Sequence, residues 1–267
     1  MKDFGYLLKN FFTHKDFLAP ANELPGTLFT PLHFVFSAIV LAIVIVGAIY
    51  VSKRGEKVVK KVFIVLWAAV TVLEVVKIVW ESTTGKTVGV ELTGVLPLYP
   101  CSVFMYAMPF AIWGKDWLRK AGCGYVCTIG FIGGSVNFFY PATILPTYSC
   151  ISFAGFHTFF YHGTMLFACL TMLISGYHRY TATKWWECLL AAIPLLVVSI
   201  PANIVNFSAI NSDYMFFKCN SFLFYDLFGQ MSDVESTLMF YVFYTVIPAM
   251  FYLPYYIYTK AKKKPIA

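Results

Sequence analysis

Apolar residues dominate this chain in long runs rather than in the alternating pattern of surface helices or strands. Seven runs approach or exceed the ~20 residues that a helix needs to cross a bilayer, and short polar connections separate them. The predicted spans lie at about Leu32–Val51, Val62–Trp80, Leu96–Trp113, Ala121–Tyr140, Ile151–Ser175, Trp186–Phe207 and Leu238–Tyr258. The pattern therefore predicts an all-α polytopic membrane protein, a bundle of seven transmembrane helices.

Composition agrees with this interpretation. Of 267 residues, 59% are hydrophobic and only 12% charged, and the mean hydropathy is +0.70. Soluble domains carry ~25% charged residues, so a soluble enzyme is disfavoured. The formal charge of +7 does not indicate nucleic-acid binding, because the basic residues fall in the connections between spans. We predict a multi-pass protein of the cell membrane whose partners are membrane lipids and not nucleic acid.

The distribution of Lys and Arg predicts the orientation. Fourteen of the twenty lie in the connections 52–61, 114–120 and 176–185 and in the C-terminal tail, and five lie in the alternate set. The positive-inside rule then places the N-terminus outside and the C-terminus in the cytoplasm. Three regions follow: an extracytoplasmic amphipathic segment at 1–31, a seven-helix transmembrane domain at 32–259 and a basic cytoplasmic tail at 260–267.

The third span is the most unusual of the seven. It reads LPLYPCSVFMYAMPFAIW, and Pro97 and Pro100 lie directly before the thiol of Cys101. Proline suits a helix entrance better than a helix interior, so Pro109, deeper in the span, should kink it. Irregular backbone at membrane depth is tolerated only where it packs on protein or lines a cavity. Cys101 is therefore a candidate for a functional role.

Polar residues on several spans fall at a similar depth. Counted from the inner ends at ~1.5 Å per residue, Cys101 lies ~18 Å up, His162 and Glu74 lie ~20 Å up, and Asn203 and Lys77 lie slightly higher. Shared depth predicts a cavity that opens outward.

Each of these residues also has a purely structural interpretation. Glu74 and Lys77 are spaced to neutralise each other on one helix face, and Asn203 and Asn206 are spaced to link helices by hydrogen bonds. His157 falls near the headgroup level, where a solvated imidazole costs little.

Three further features bear on packing and thiol chemistry. Gly130 and Gly134 form a small-xxx-small pair that allows close approach of helices. Buried cysteines such as Cys123, Cys127, Cys169 and Cys188 serve as small hydrophobes. Cys150 and Cys219 both fall on the outer side, and a bond between them stays open. We find no cysteine spacing typical of a metal site and predict no metal or cofactor.

A thiol and an imidazole at one depth suit acyl transfer. An imidazole makes the thiolate available for attack and later protonates the leaving group. In this interpretation Cys101 is the nucleophile and His162 the base, with Glu74, Lys77, His157 and Asn203 in supporting roles. A transporter or small-ligand-binding protein without covalent chemistry is the alternative, and a purely structural membrane protein is a third.

A resemblance supports the first interpretation. The runs LPLYPCS, GFIGGSVNFFYP and FFYHG, followed by Asn203 and NSDYMFF, resemble the YwaF-type bacterial integral membrane family in matching order. That family is related to a eukaryotic transmembrane acyltransferase that moves acyl chains between phospholipids through a cysteine. The resemblance implies that Cys101, His162 and Asn203 occupy the family's motif positions and that phospholipid is the acyl donor or acceptor. It does not indicate an oligomeric state.

Overall fold

The computed structural model describes residues 2–86, 95–208, 212–219 and 229–262, and within these ranges every regular element is helical. The prediction of an all-α chain is confirmed for this part. The α-helices are α1 (Phe4–Lys9), α2 (Pro31–Ser52), α3 (Glu56–Thr84), α4 (Val103–Trp113), α5 (Asp116–Cys127), α6 (Ile129–Phe139), α7 (Phe153–Ile174), α8 (Ile193–Ser208) and α9 (Asp233–Lys262). A 3₁₀ helix at Trp185–Ala192 leads directly into α8.

Six helical segments of the described chain are long and apolar enough to cross a membrane. They are Pro31–Ser52, Glu56–Thr84, Asp116–Phe139, Phe153–Ile174, Trp185–Ser208 and Asp233–Lys262. The third predicted span appears instead as α4, an apolar helix of only 11 residues. At ~1.5 Å per residue α4 is about 17 Å long, roughly half of a hydrocarbon core.

The span predicted over Ala121–Tyr140 is present as Asp116–Phe139, but its backbone breaks between α5 and α6. Thr128 has φ −115° and ψ −86°, which is not helical. Side chains satisfy the carbonyl groups that the break leaves free: Thr128 Oγ1 donates to the Gly124 carbonyl at 2.8 Å, and Tyr180 Oη donates to that of Cys127 at 2.5 Å. A break at this depth is stable because its polar groups are paired within the protein.

The short helix α4 contains Pro109. Proline lacks the N–H that would bond to the carbonyl of Met105 four residues earlier. The indole Nε1–H of Trp67 on α3 donates to this carbonyl instead, at 2.9 Å. The two proline residues Pro97 and Pro100 precede the helix in irregular backbone, so α4 begins only after Cys101.

Helix α7 forms the centre of the bundle and packs against α2, α3, α5 and α6. In its most apolar stretch 67% of the residues are buried, against 17% in α2 and in α3. Helices α2 and α3 expose rows of Val and Ile side chains, as expected of surfaces that face lipid.

The N-terminal segment covers one end of the bundle. Trp80 Nε1 on α3 donates to the Phe12 carbonyl at 2.8 Å, and the backbone N–H of Phe153 on α7 donates to the Phe11 carbonyl at 2.8 Å. At the other end of the chain α9 continues to Lys262, so the predicted tail at 260–267 begins inside a helix. Residues 263–267 lie outside the described part.

Candidate functional site

Cys101 lies in the turn that leads into α4, and hydrogen bonds from α5 and α7 fix the backbone of this turn. The buried Tyr125 on α5 donates its hydroxyl to the Pro100 carbonyl at 2.5 Å and approaches the Cys101 carbonyl at 3.4 Å. From α7, Tyr161 Oη donates to the Ser102 carbonyl at 3.4 Å. The carbonyl groups of this irregular backbone therefore accept hydrogen bonds from protein side chains instead of water, as the hydrocarbon region requires.

Cys101 differs from the other cysteines in its accessibility. All seven cysteines are free thiols within the described residues, and six of them are buried. Cys101 is the exception, with an intermediate exposure. Cys150 and Cys219 are among the buried six and do not form a disulfide bond.

Two adjacent glycines on α6 bring Cys101 close to the middle of α7. A Cβ atom added to Gly133 would lie 3.9 Å from Cys101 Sγ and 3.6 Å from Met165 Cε. One added to Gly134 would lie 3.1 Å from the carbonyl oxygen of His162. The close approach to α7 therefore depends on Gly134, whereas a Cβ on Gly130 would meet only atoms of Tyr125, at 3.4 Å or more.

The His162 ring has one nitrogen paired and one unpaired. Nδ1 lies 2.9 Å from the Thr158 carbonyl, which can only accept, so Nδ1 carries the proton. Nε2 is then left with a free lone pair, and this buried atom has no hydrogen-bond partner. His162 and Cys101 therefore are not hydrogen-bonded to each other, although both lie against the Gly133–Gly134 pair. In this tautomer Nε2 is the hydrogen-bond acceptor of the ring.

Glu74 contacts His157 rather than His162. Glu74 Oε2 lies 3.0 Å from His157 Nε2, and Glu74 Oε1 lies 3.7 Å from Lys77 Nζ. The predicted Glu74–Lys77 pair is present, but the prediction that His157 is solvated is wrong, because only 6% of its surface is exposed. Glu74 and His157 are buried and Lys77 is partly buried, and the three form a polar cluster between α3 and α7.

Asn203 lies apart from these groups. Its Nδ2 donates to Tyr241 Oη on α9 at 2.7 Å, and Ser199 Oγ is 3.0 Å from the same hydroxyl. This contact between α8 and α9 fits the role of an interhelical link. The buried Oδ1 of Asn203 has no partner among the described residues.

Two distant motifs meet near the Cys101 turn. The backbone N–H of Leu96 donates to Tyr214 Oη at 2.9 Å, and the Tyr99 and Tyr214 rings are 5.1 Å apart. The side-chain amide of Asn206 forms two hydrogen bonds with the backbone of Tyr214, at 2.8 and 2.9 Å. Asn206 therefore fixes a loop rather than a neighbouring span. Met215 follows with φ 57°, a left-handed conformation that is rare for a non-glycine residue and common at functional sites.

Sequence reasoning missed the role of Tyr125, and it noted Tyr214 only as part of the NSDYMFF run. Neither hydroxyl belongs to a periodic pattern, and the only signal at Tyr125 is a large side chain that follows the small run Ala121–Gly124. No group of three His, Cys, Asp or Glu side chains in the described ranges is arranged to hold a metal ion. Asn211, the first residue of the NSDYMFF motif, lies outside those ranges.

Comparison with known proteins identifies the family. The model of the TMEM164 family matches residues 28–258, which include every helix from α2 to α8 and most of α9. No curated protein and no solved structure matches the chain. Because the match covers far more than half of the sequence, the chain belongs to the TMEM164 family.

Proposed function

We propose that this protein is a lipid acyltransferase or hydrolase that works through Cys101 and His162. The observation that carries the proposal is the unpaired Nε2 of His162, in a turn of α7 that packs on the same glycine pair as the sulfur of Cys101. His162 Nε2 is one of several buried polar atoms without a hydrogen-bond partner among the described residues, and its turn of α7 is the one that packs on the Gly133–Gly134 pair, which supports a role as proton acceptor for Cys101. Cys101 is also the accessible thiol of the seven.

The chemistry follows from these two groups. His162 Nε2 takes the thiol proton, and the sulfur attacks the carbonyl carbon of a phospholipid ester to form a tetrahedral intermediate. As the ester C–O bond breaks, the imidazolium returns the proton to the leaving alcohol, which gives a lysophospholipid and a thioester on Cys101. A second alcohol or water then attacks the thioester, and the thiol is regenerated as its proton passes back through Nε2.

The direct Cys101–His162 hydrogen bond that this scheme needs is absent from the described contacts. Catalytic hydrogen bonds are often long before substrate binds and tighten in the reacting complex. Glu74, Lys77 and His157 support the site indirectly, since their cluster fixes α3 against the turn of α7 that precedes His162. Asn203 supports the site less directly, because its hydrogen bond to Tyr241 joins α8 to α9.

A long-chain electrophile tests the proposal. We expect a chloroacetamide with a lipid-like tail to label Cys101 in preference to Cys123, Cys127 and Cys169. His162→Ala should slow that labelling by ~10²–10⁴, the usual value of positioned proton transfer. His33→Ala is the control, because His33 is a buried histidine on α2 that accepts from the backbone N–H of Phe29 and has no place in the proposed site.

Acyl transfer is measured in parallel, from a labelled phosphatidylcholine to a lysophospholipid or to water. Folded Cys101→Ala protein should lose this turnover, and alanine should fill the small site without loss of fold. Unchanged turnover in Cys101→Ala, or labelling of Cys101 that ignores His162, would refute the Cys101–His162 mechanism.

A transporter is the second candidate, and the cluster of Glu74, Lys77 and His157 between α3 and α7 favours it. Charged groups in transmembrane segments commonly mark ion or substrate pathways, and broken helices such as the α5–α6 pair are common in transporters. A transporter with an outward-opening cavity does not require a reactive Cys101. The labelling and turnover measurements above therefore separate the two candidates.

We also propose that the protein lies in the cell membrane as a seven-span bundle with the N-terminus outside, α4 being the short span. The support is the distribution of Lys and Arg. In a cysteine-free chain, Asp233→Cys should react with an impermeant thiol reagent on intact cells, and Lys57→Cys should react only after lysis. Equal reaction of both positions on intact cells would overturn the orientation.

A further inference from the structure

A cavity of about 270 Å³ opens at the end of the bundle opposite to Cys101. It lies where α4 gives way to α5, beside the connection from α7 to the 3₁₀ helix, and Tyr252 of α9 contributes to its wall. The 11 residues of α4 separate it from the Cys101 turn by about 17 Å. The proposed acyl chemistry uses none of its lining residues.

Three basic side chains line this cavity, and one of them has no carboxylate partner. Arg119 lies 3.1 Å from Glu56, and Lys120 lies 3.4 Å from Glu187. Arg179 forms no ion pair with any described residue and lines the same cavity as Arg119 and Lys120. Its guanidinium therefore has donors available for a ligand, and a guanidinium matches the oxygens of a phosphate group particularly well.

The remaining charged groups balance the basic ones. Asp116 and Glu187 also line the cavity, and Glu56 pairs with Arg119, so three carboxylates face three basic side chains. The nearby ring of His178 adds no charge near neutral pH, because burial together with Arg119 and Lys120 lowers its pKa to about 4. The charged groups thus balance, and the attraction for an anion comes from the guanidinium of Arg179, which has no ion pair among the described residues, rather than from a net charge.

Tryptophan side chains show the depth of this cavity in the membrane. Four of the six tryptophans are exposed at this end of the bundle: Trp113, Trp117, Trp185 and Trp186. Exposed tryptophans concentrate at the membrane–water interface, at the level of the lipid headgroups. The cavity that they flank therefore lies level with lipid phosphates.

We propose that this cavity binds the phosphate group of an anionic phospholipid, with Arg179 as the principal ligand and Arg119 and Lys120 as further donors. Basic cavities between transmembrane helices at this level are suited to anionic headgroups. The shared chemistry, a phosphate on a guanidinium, also permits a soluble phosphate as ligand. The exposed tryptophans favour the lipid.

Native mass spectrometry of the purified protein tests the proposal. We expect dihexanoyl phosphatidylglycerol to be retained at least tenfold better than dihexanoyl phosphatidylcholine, whose choline cancels the phosphate charge. Arg179→Gln should weaken phosphatidylglycerol binding roughly tenfold, the usual effect of a lost charge-assisted hydrogen bond. Lys184→Gln is the matched control, because Lys184 is an exposed cation of the same connection that does not line the cavity.

Inorganic phosphate separates the two sources of the ligand. At the same concentration it should not displace phosphatidylglycerol, and displacement would overturn the lipid in favour of a soluble phosphate. Equal retention of both lipids, or an equal effect of Arg179→Gln and Lys184→Gln, would overturn the site itself. Arg179 is exposed, so its replacement is not expected to impair folding, and a melting curve of each variant verifies this.

Discussion

Gly134→Ala and Gly133→Ala should have opposite effects on stability although the two residues are adjacent on α6. The new methyl group at position 134 would lie 3.1 Å from both the carbonyl oxygen of His162 and the backbone nitrogen of Leu166. Both atoms belong to the backbone of α7, so the two helices must move apart by a few tenths of an ångström. Overpacking of this kind typically costs 1–3 kcal/mol, taken here as ~2 kcal/mol.

At position 133 the methyl group meets only side chains at ordinary contact distance, Met165 Cε at 3.6 Å and Cys101 Sγ at 3.9 Å. Alanine is favoured over glycine inside a helix by ~1 kcal/mol, and this gain applies to both variants. We therefore expect Gly134→Ala to lose ~1 kcal/mol of stability and Gly133→Ala to gain up to ~1 kcal/mol. The two variants should differ by about 2 kcal/mol.

Equilibrium unfolding in mixed micelles, with sodium dodecyl sulfate as denaturant, measures this difference. Gly130→Ala is the control, because its methyl group would come no closer than 3.4 Å to any atom outside its own turn of helix. Gly133→Ala should also slow the alkylation of Cys101, since the methyl group adjoins the sulfur. A Gly133→Ala protein as unstable as Gly134→Ala would refute the assigned packing of α6 on α7.

Three further predictions concern other contacts. Trp67→Phe removes the donor to the Met105 carbonyl and should cost ~1–3 kcal/mol in the same unfolding assay, and an unchanged stability would show that another donor replaces the indole. Glu74→Gln removes the carboxylate that His157 and the partly exposed Lys77 share and should lower stability; the double variant Glu74→Gln/Lys77→Met should recover the part of the loss that belongs to the Lys77 pair, and no recovery would show that the two are not partners. The folded-state pKa of His178 is about 4, below the ordinary 6.5, so its contribution to stability is complete above pH 6.5 and is lost as the pH falls towards 4. Melting temperatures measured across this range should fall less steeply in His178→Gln, and parallel curves would contradict the burial of a neutral imidazole.

The sequence alone was sufficient for the helical class and for the approximate position of most spans. Hydropathy is a local property, so the run at Leu32–Val51 corresponds to α2 at Pro31–Ser52, and Ile151–Ser175 corresponds to α7 at Phe153–Ile174. The sequence did not predict the helix break at Thr128, because the apolar run continues through it. The break depends on the hydroxyl of Tyr180, which donates across the bundle, and hydropathy carries no information about such a donor.

The candidate site divides in the same way. Proline spacing and apolar surroundings predict Cys101 as a candidate nucleophile, and depth counted along single helices predicts that His162 lies near its level. Which groups actually meet was decided only by the rotation and packing of the helices, because a pair on two helices requires both side chains to face the same point. Glu74 accordingly meets His157 instead of His162, and Asn203 meets Tyr241. The close approach through Gly133 and Gly134 was likewise decided in three dimensions, since a glycine in a sequence does not show which neighbour fills the space that its missing side chain leaves.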